Sequence, residues 1–197
     1  GRGGTFSAGW QQNLGGGRLA LNGRLQLESY AYALEDAIFA PSAGSLIVND
    51  DYSQTNGEVG LNWQRPLGDR WRLEVVGIQR LRGSDFVTEF DSGPDVGEFT
   101  EDSTSGESIG RVTLRHQRTP TWSLEAGGEV AFNFLESATT FTDNGVPVVL
   151  PFSDVRVEEL RGVVFGTSTW RPNTHWGLEL GMRAEVSTIT QSGDTDL

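Results

Sequence analysis

Few residues in this 197-residue chain combine a reactive type with a useful spacing. There are two histidines, His116 and His175, and no cysteine. Lack of cysteine removes disulfides, thiolate metal sites and thiol nucleophiles. Neither histidine has an Asp or Glu placed to orient it, and no serine sits in a nucleophile motif. Glu158 and Glu159 are adjacent, but neighbours on a strand point to opposite faces, so they do not form an acid–base pair. Gly15-Gly16-Gly17 is followed by no helix and so makes no phosphate cradle. The chain reads as a non-enzyme with no cofactor and no metal of its own.

One acidic stretch remains. Asp85, Glu89, Asp91, Asp95, Glu98, Glu101 and Asp102 lie between Gly83 and Gly106 with no basic residue among them. Clustered carboxylates can take a calcium ion or a cationic ligand, yet these lack the fixed spacing of a calcium loop. A solvated loop is the favoured reading, with the seven acids as the ligand-loop candidates. The net charge is −12, which argues against nucleic acid as a partner, because a phosphate backbone needs a basic surface. All 15 basic residues are arginine.

The elements that carry these residues are legible from period-two alternation. In Thr167–Ser187 a strand ends at Trp170, Arg171-Pro172-Asn173-Thr174 makes a turn, and Trp176 starts the return. Trp176, Leu178, Leu180, Met182, Ala184 and Val186 then share one face, and Glu179, Arg183 and Glu185 the other. Ser7–Ser29, Gly60–Leu81 and Thr113–Phe134 repeat the plan. Their turn centres, Gly15, Leu67, Pro120 and Asn173, are spaced 52, 53 and 53 residues apart. Glycine supplies positive φ in the first turn, and proline marks the ends of strands at the others. The fold class that follows is all-β: an antiparallel up-and-down meander of about eight strands in four hairpins.

No apolar run approaches the roughly 18 residues of a transmembrane helix, but barrel strands cross with about 9–11 alternating residues. All six tryptophans, Trp10, Trp63, Trp71, Trp122, Trp170 and Trp176, lie close to a short turn. Core tryptophans of a soluble sandwich would not all collect at one end, so they read as an aromatic girdle at a membrane interface. The wet faces carry Arg18, Arg24, Glu28, Arg72, Glu74, Glu125, Glu129, Glu179, Arg183 and Glu185, which would line a lumen. In the second return strand the pattern blurs at Val76-Gly77-Ile78. Short turns near 13–17, 66–69, 119–121 and 171–174 are read as periplasmic. Long polar loops near 33–57, 83–107 and 137–154 are read as extracellular. Residues 1–197 are read as a single fragment of a transmembrane β-barrel, since both ends look cut. A piece of this kind forms an open curved sheet with bare edges or a small closed barrel.

Asn144–Pro151, Val155–Gly162, Thr169–Pro172 and Ser187–Asp194 resemble the barrel region of TonB-dependent outer-membrane receptors of Gram-negative bacteria. That resemblance implies a 22-stranded barrel with a plug in its lumen. It also implies uptake of a scarce solute (iron–siderophore, vitamin or oligosaccharide) driven by an inner-membrane energy-coupling partner. It implies contact with outer-membrane lipid and with a small-molecule ligand. The plug and TonB box of that family are not among these residues, nor is the terminal aromatic residue that ends many such barrels. The first alternative is a plugless outer-membrane porin or channel. The second is a soluble all-β binding or structural protein.

Overall fold

A computed structural model describes residues 1–38, 44–151 and 153–193. The strands are β1 (Arg2–Leu14), β2 (Gly17–Ile38), β3 (Gly44–Leu67), β4 (Trp71–Asp91), β5 (Val96–Thr119), β6 (Trp122–Asp143), β7 (Val146–Val148), β8 (Asp154–Trp170) and β9 (Leu178–Gly193). All belong to one antiparallel sheet in the order β1-β2-β3-β4-β5-β6-β8-β9, and β7 pairs with the end of β6. The expected meander is present, with one short strand more than eight. β1 and β9 do not pair, so of the two forms open to a fragment this is the open sheet.

The turns follow backbone chemistry. Gly15 and Gly16 both have positive φ (61° and 74°), the requirement of a two-residue type I′ hairpin whose twist matches the strands. Asn144-Gly145 does the same (52° and 76°) between β6 and β7. The last turn is wider than sequence suggests: β9 begins at Leu178, and Trp176 lies outside it. The Asn173 side-chain oxygen accepts from the amides of His175 (2.9 Å) and Trp176 (3.0 Å), which fixes a longer connection.

The segments 33–57, 83–107 and 137–154 are not loops in conformation. β2 and β3 extend through most of the first, with residues 39–43 outside the described set. β4 and β5 take all of the second except the tip between Asp91 and Val96, closed by Ser92 N donating to the Asp95 carbonyl (2.9 Å). β6 runs on to Asp143, and β7 and β8 follow one another along its far side. Sequence alternation hid this, because the two faces exchange character along the strand, while the backbone ladder is just as complete.

Register sets the tilt. Arg18 pairs with Gln64, so Gly17 at the first turn is level with Arg65, two residues short of the end of β3 at Leu67. Trp71 at the second turn is level, through His116, with Leu124, two residues beyond the start of β6 at Trp122. Two residues of offset across two strand spacings correspond to a tilt of about 35° from the axis normal to the turn line.

Nothing in this sheet resembles a globular core. Among the described residues Ala131 (1% exposed) and Val163 (4%) are the buried hydrophobic ones, and no large side chain is fully buried. The accessible surface is 13714 Å², against roughly 9,200 Å² for a compact protein of this mass. Ala131, Val163, Thr113 and Glu129, the buried side chains, share one face by register, so the sheet curls toward that face.

Where rings lie flat over cross-strand glycine, curl and packing meet. A Cβ on Gly127 would stand 2.5 Å from Phe165 Cζ and 2.6 Å from the Val112 carbonyl oxygen. The ring can turn, but the carbonyl belongs to the ladder and cannot. Gly127→Ala should therefore cost about 1–3 kcal/mol in a urea unfolding titration. A cost under about 0.5 kcal/mol would contradict this placement.

Candidate functional site

The sheet has two faces and, along its strands, three levels. Antiparallel partners share a face, so the register sorts every side chain. One face is apolar over the half nearest the short turns. Its rows read Trp10–Leu21–Leu61, Leu19–Trp63–Val75–Val112, and Trp71–His116–Leu124. Trp122 pairs with Trp170, and the far limit of the band is the row Phe6–Leu25–Gly57–Leu81–Gly106–Phe134. From Trp122 to Phe134 along β6, twelve steps at 35° tilt span roughly 32 Å. These side chains are bare: Phe6 is 69% exposed, Leu180 64% and Met182 80%.

Five of the six tryptophans lie on strands, and all five are on this face; Trp176 sits in the last turn. Their polar edges are satisfied where neighbours allow. Trp63 Nε1 donates to the Leu14 carbonyl (3.0 Å), and Trp122 Nε1 to Ser168 Oγ (2.9 Å). His116 stacks on Trp71 at 4.0 Å between ring centres, and His175 lies in the last turn beside Thr174. Among the described residues neither histidine forms an ion pair with a carboxylate.

The opposite face is polar at the same level. All ten charged residues singled out from the return strands lie on it: Arg18, Arg24, Glu28, Arg72, Glu74, Glu125, Glu129, Glu179, Arg183 and Glu185. The structure adds partners on the incoming strands that alternation did not single out. Arg80 bridges Glu58 (2.7 Å) and Glu107 (3.1 Å). Glu129, with its side chain 5% exposed, accepts from Arg111 Nε (2.7 Å) and faces Arg161 at 3.9 Å. Arg115 pairs with Glu125, and Arg183 with Glu185 (2.8 Å). Asn62 and Gln64 each donate to Glu74 at 2.9 Å. Val76 and Ile78, where the pattern blurs, point to this face and join Ile109, Ala131, Val163 and Phe165 in a small apolar island.

Beyond the row Leu27–Thr55–Gly83–Thr104–Glu136–Arg156 the polarity reverses. On the ribbons the formerly polar face becomes aromatic. Tyr30 packs on Tyr52 (4.9 Å), Phe86 on Phe99 (6.4 Å) and Phe90 on Phe141 (5.9 Å). The formerly apolar face becomes acidic. Asp85 stands opposite Asp102, and Glu89 opposite Glu98. The Asp85 carboxyl, hydrogen-bonded to Asp102 and repelling it, pushes the Asp102 carboxyl above its ordinary range. The seven acids do not converge. Glu101 points to the aromatic face, where Ser137 lies 3.5 Å away, and Asp95 sits at the tip. Among the described residues no group of three or more His, Asp or Glu could hold a metal ion.

Charge is distributed as unevenly as polarity. The wall-level polar face carries nine arginines and nine glutamates, which cancel. Among the described residues nearly all other acids lie at the ribbon end. At the short-turn end Arg65, Arg70, Arg118 and Arg171 face a single acid, Asp69.

No protein-family model matches the chain, and no curated protein does. Solved structures do match its fold. The ferric yersiniabactin uptake receptor FyuA from Yersinia pestis superposes with a TM-score of 0.53 at 9% identity, over 98% of this chain and 33% of that one. The ferric preacinetobactin receptor BauA from Acinetobacter baumannii gives 0.53 at 11%, over 96% and 34%. The ferripyoverdine receptor of the Pseudomonas aeruginosa outer membrane gives 0.52 at 11%, over 98% and 37%. The chain thus spans about a third of the length of the receptors it matches. The likeness is of fold: a barrel wall in proteins that are receptors and transporters.

Proposed function

We propose that the chain is part of the wall of an outer-membrane receptor barrel that takes up a scarce solute of the siderophore–iron class. The reversal of polarity along the strands carries this reading. A sheet with one bare apolar face is not viable in water, and a bilayer supplies the missing partner for a band of that height. The six tryptophans then form the interfacial girdle, and the charged rows from Arg18 to Glu185 line the lumen. The short turns are periplasmic and the ribbons extracellular. Segments 33–57, 83–107 and 137–154 are the ribbon ends that first meet the ligand, with Tyr52, Phe86 and Phe99 toward the axis and Asp85, Glu89, Glu98 and Asp102 outward. A plug and an inner-membrane energy-coupling protein complete the machine.

The test is uptake by cells carrying the protein that contains this wall, with the β4–β5 ribbon cut back to Gly83 and Thr104 and closed by Asn-Gly. The expected result is a barrel that still assembles and shows heat-modifiable migration but no longer binds or imports its ferric ligand. Unchanged import overturns the ribbon's role. Import by the intact protein that persists after the inner-membrane proton gradient is collapsed points instead to a plugless channel.

A further inference from the structure

The short-turn end carries a feature that the wall and ribbons do not. Arg65, Arg70, Arg118 and Arg171 are exposed and enter no ion pair among the described residues. Of the nine arginines on the wall-level polar face, Arg80, Arg111, Arg115, Arg161 and Arg183 reach a carboxylate within 4.0 Å, and Arg18, Arg24 and Arg82 donate to Gln11, Gln26 and Tyr52. The four lie along the line of short turns. Arg65 reaches across the first turn, so that a Cβ on Gly16 would stand 3.4 Å from its Nε. Arg70 is in the second turn, Arg118 precedes the third, and Arg171 opens the fourth. Arg118 Cζ lies 4.8 Å over the Trp122 ring, which holds a cation at the level of the tryptophans. In a chain of net charge −12, this end alone has an excess of positive charge, with only Asp69 against it.

We propose that this rim binds the phosphate headgroups of anionic phospholipid in the leaflet at the short-turn end, with two arginines at the second hairpin and one each at the third and fourth. The inference rests on the membrane reading above and extends it to a lipid class. Two observations favour lipid over a free anion. The cations sit at the girdle, where headgroups lie, and they are spread along a line instead of converging on one pocket. Guanidinium suits the task, because its planar fork meets phosphate oxygens in pairs. Attraction of this kind is additive over basic residues and screened by salt.

The experiment uses the whole barrel protein reconstituted in vesicles with brominated lipid as a tryptophan quencher. One arm carries brominated phosphatidylglycerol in a phosphatidylcholine background, the other brominated phosphatidylcholine in a phosphatidylglycerol background. The expected result is selection of the anionic lipid at the tryptophans by at least about threefold. Selection should fall toward unity in 0.5 M salt, roughly, and in the variant R65Q/R70Q/R118Q/R171Q. A control that removes two arginines from the opposite end, R2Q/R156Q, should keep it. Equal quenching by both lipids in the native protein, or undiminished selection in the four-fold variant, overturns the proposal while leaving the protein in the membrane. Quenching by neither lipid overturns the membrane reading and the proposal with it. Retained heat-modifiable migration of the four-fold variant separates lost selection from failed assembly.

Discussion

Val164→Arg should destabilise the protein by about 2–4 kcal/mol in a bilayer. Val164 is 62% exposed and lies midway between Trp170 and the row of Phe134, on the apolar face. Its cross-strand neighbours are Gly128 and Ala184, so the larger side chain meets no steric barrier. On a soluble sheet such an exposed change would shift stability by no more than about 0.5 kcal/mol. In lipid the guanidinium has to be drawn into hydrocarbon or reach a distant interface, and the cost is several times larger. Ser187→Arg, on the polar face opposite Arg161, is the control and should cost no more than about 1 kcal/mol. Urea titrations of both variants in the same vesicles give the comparison. Equal small effects would mean that the apolar face does not meet lipid.

The second large effect is expected at Glu129. Its carboxylate is the most enclosed charge of the described residues and holds Arg111 and Arg161 from the two flanking strands. Glu129→Ala leaves two guanidinium groups facing each other across an empty position. Breaking a fully buried pair costs about 3–5 kcal/mol, but the Arg111 side chain is 48% exposed and water screens part of the loss. A cost of about 1–3 kcal/mol is therefore expected, with Glu129→Gln about half as severe because an acceptor oxygen remains. Glu179→Ala, at an exposed position of the same face, should cost less than about 0.5 kcal/mol. If Glu129→Ala and Glu179→Ala behave alike in a urea titration, the ion pairs do not brace the wall.

Much of this architecture could be read from residue order because the bilayer-level half of each return strand obeys one rule. Leu19, Leu21, Leu25 and Leu27 against Arg18, Asn22, Arg24 and Glu28 admit no other sheet face. The rest was harder for a physical reason. On the second return strand Val76 and Ile78 put apolar side chains on the polar face, and Glu58, Glu107 and Arg111 on the incoming strands are joined into a network with Arg80 and Glu129 only by register. The ribbons were misread as loops because their two faces swap character: Phe86 and Asp85 are neighbours in sequence, one toward the aromatic face and one toward the acidic face. Asn144-Gly145 did carry a hairpin signal that polar composition outweighed. The last turn is wider than its Arg171-Pro172-Asn173-Thr174 core, since Asn173 caps two further amides.

A wall that crosses a bilayer has strands inclined as their register dictates. Polarised infrared spectroscopy of the protein in oriented bilayers measures that inclination from the dichroism of the amide I bands. The expected result is β-strands tilted by about 35–45° from the membrane normal. Strands lying in the membrane plane, or a protein that washes from the bilayers and shows no dichroism, would contradict it.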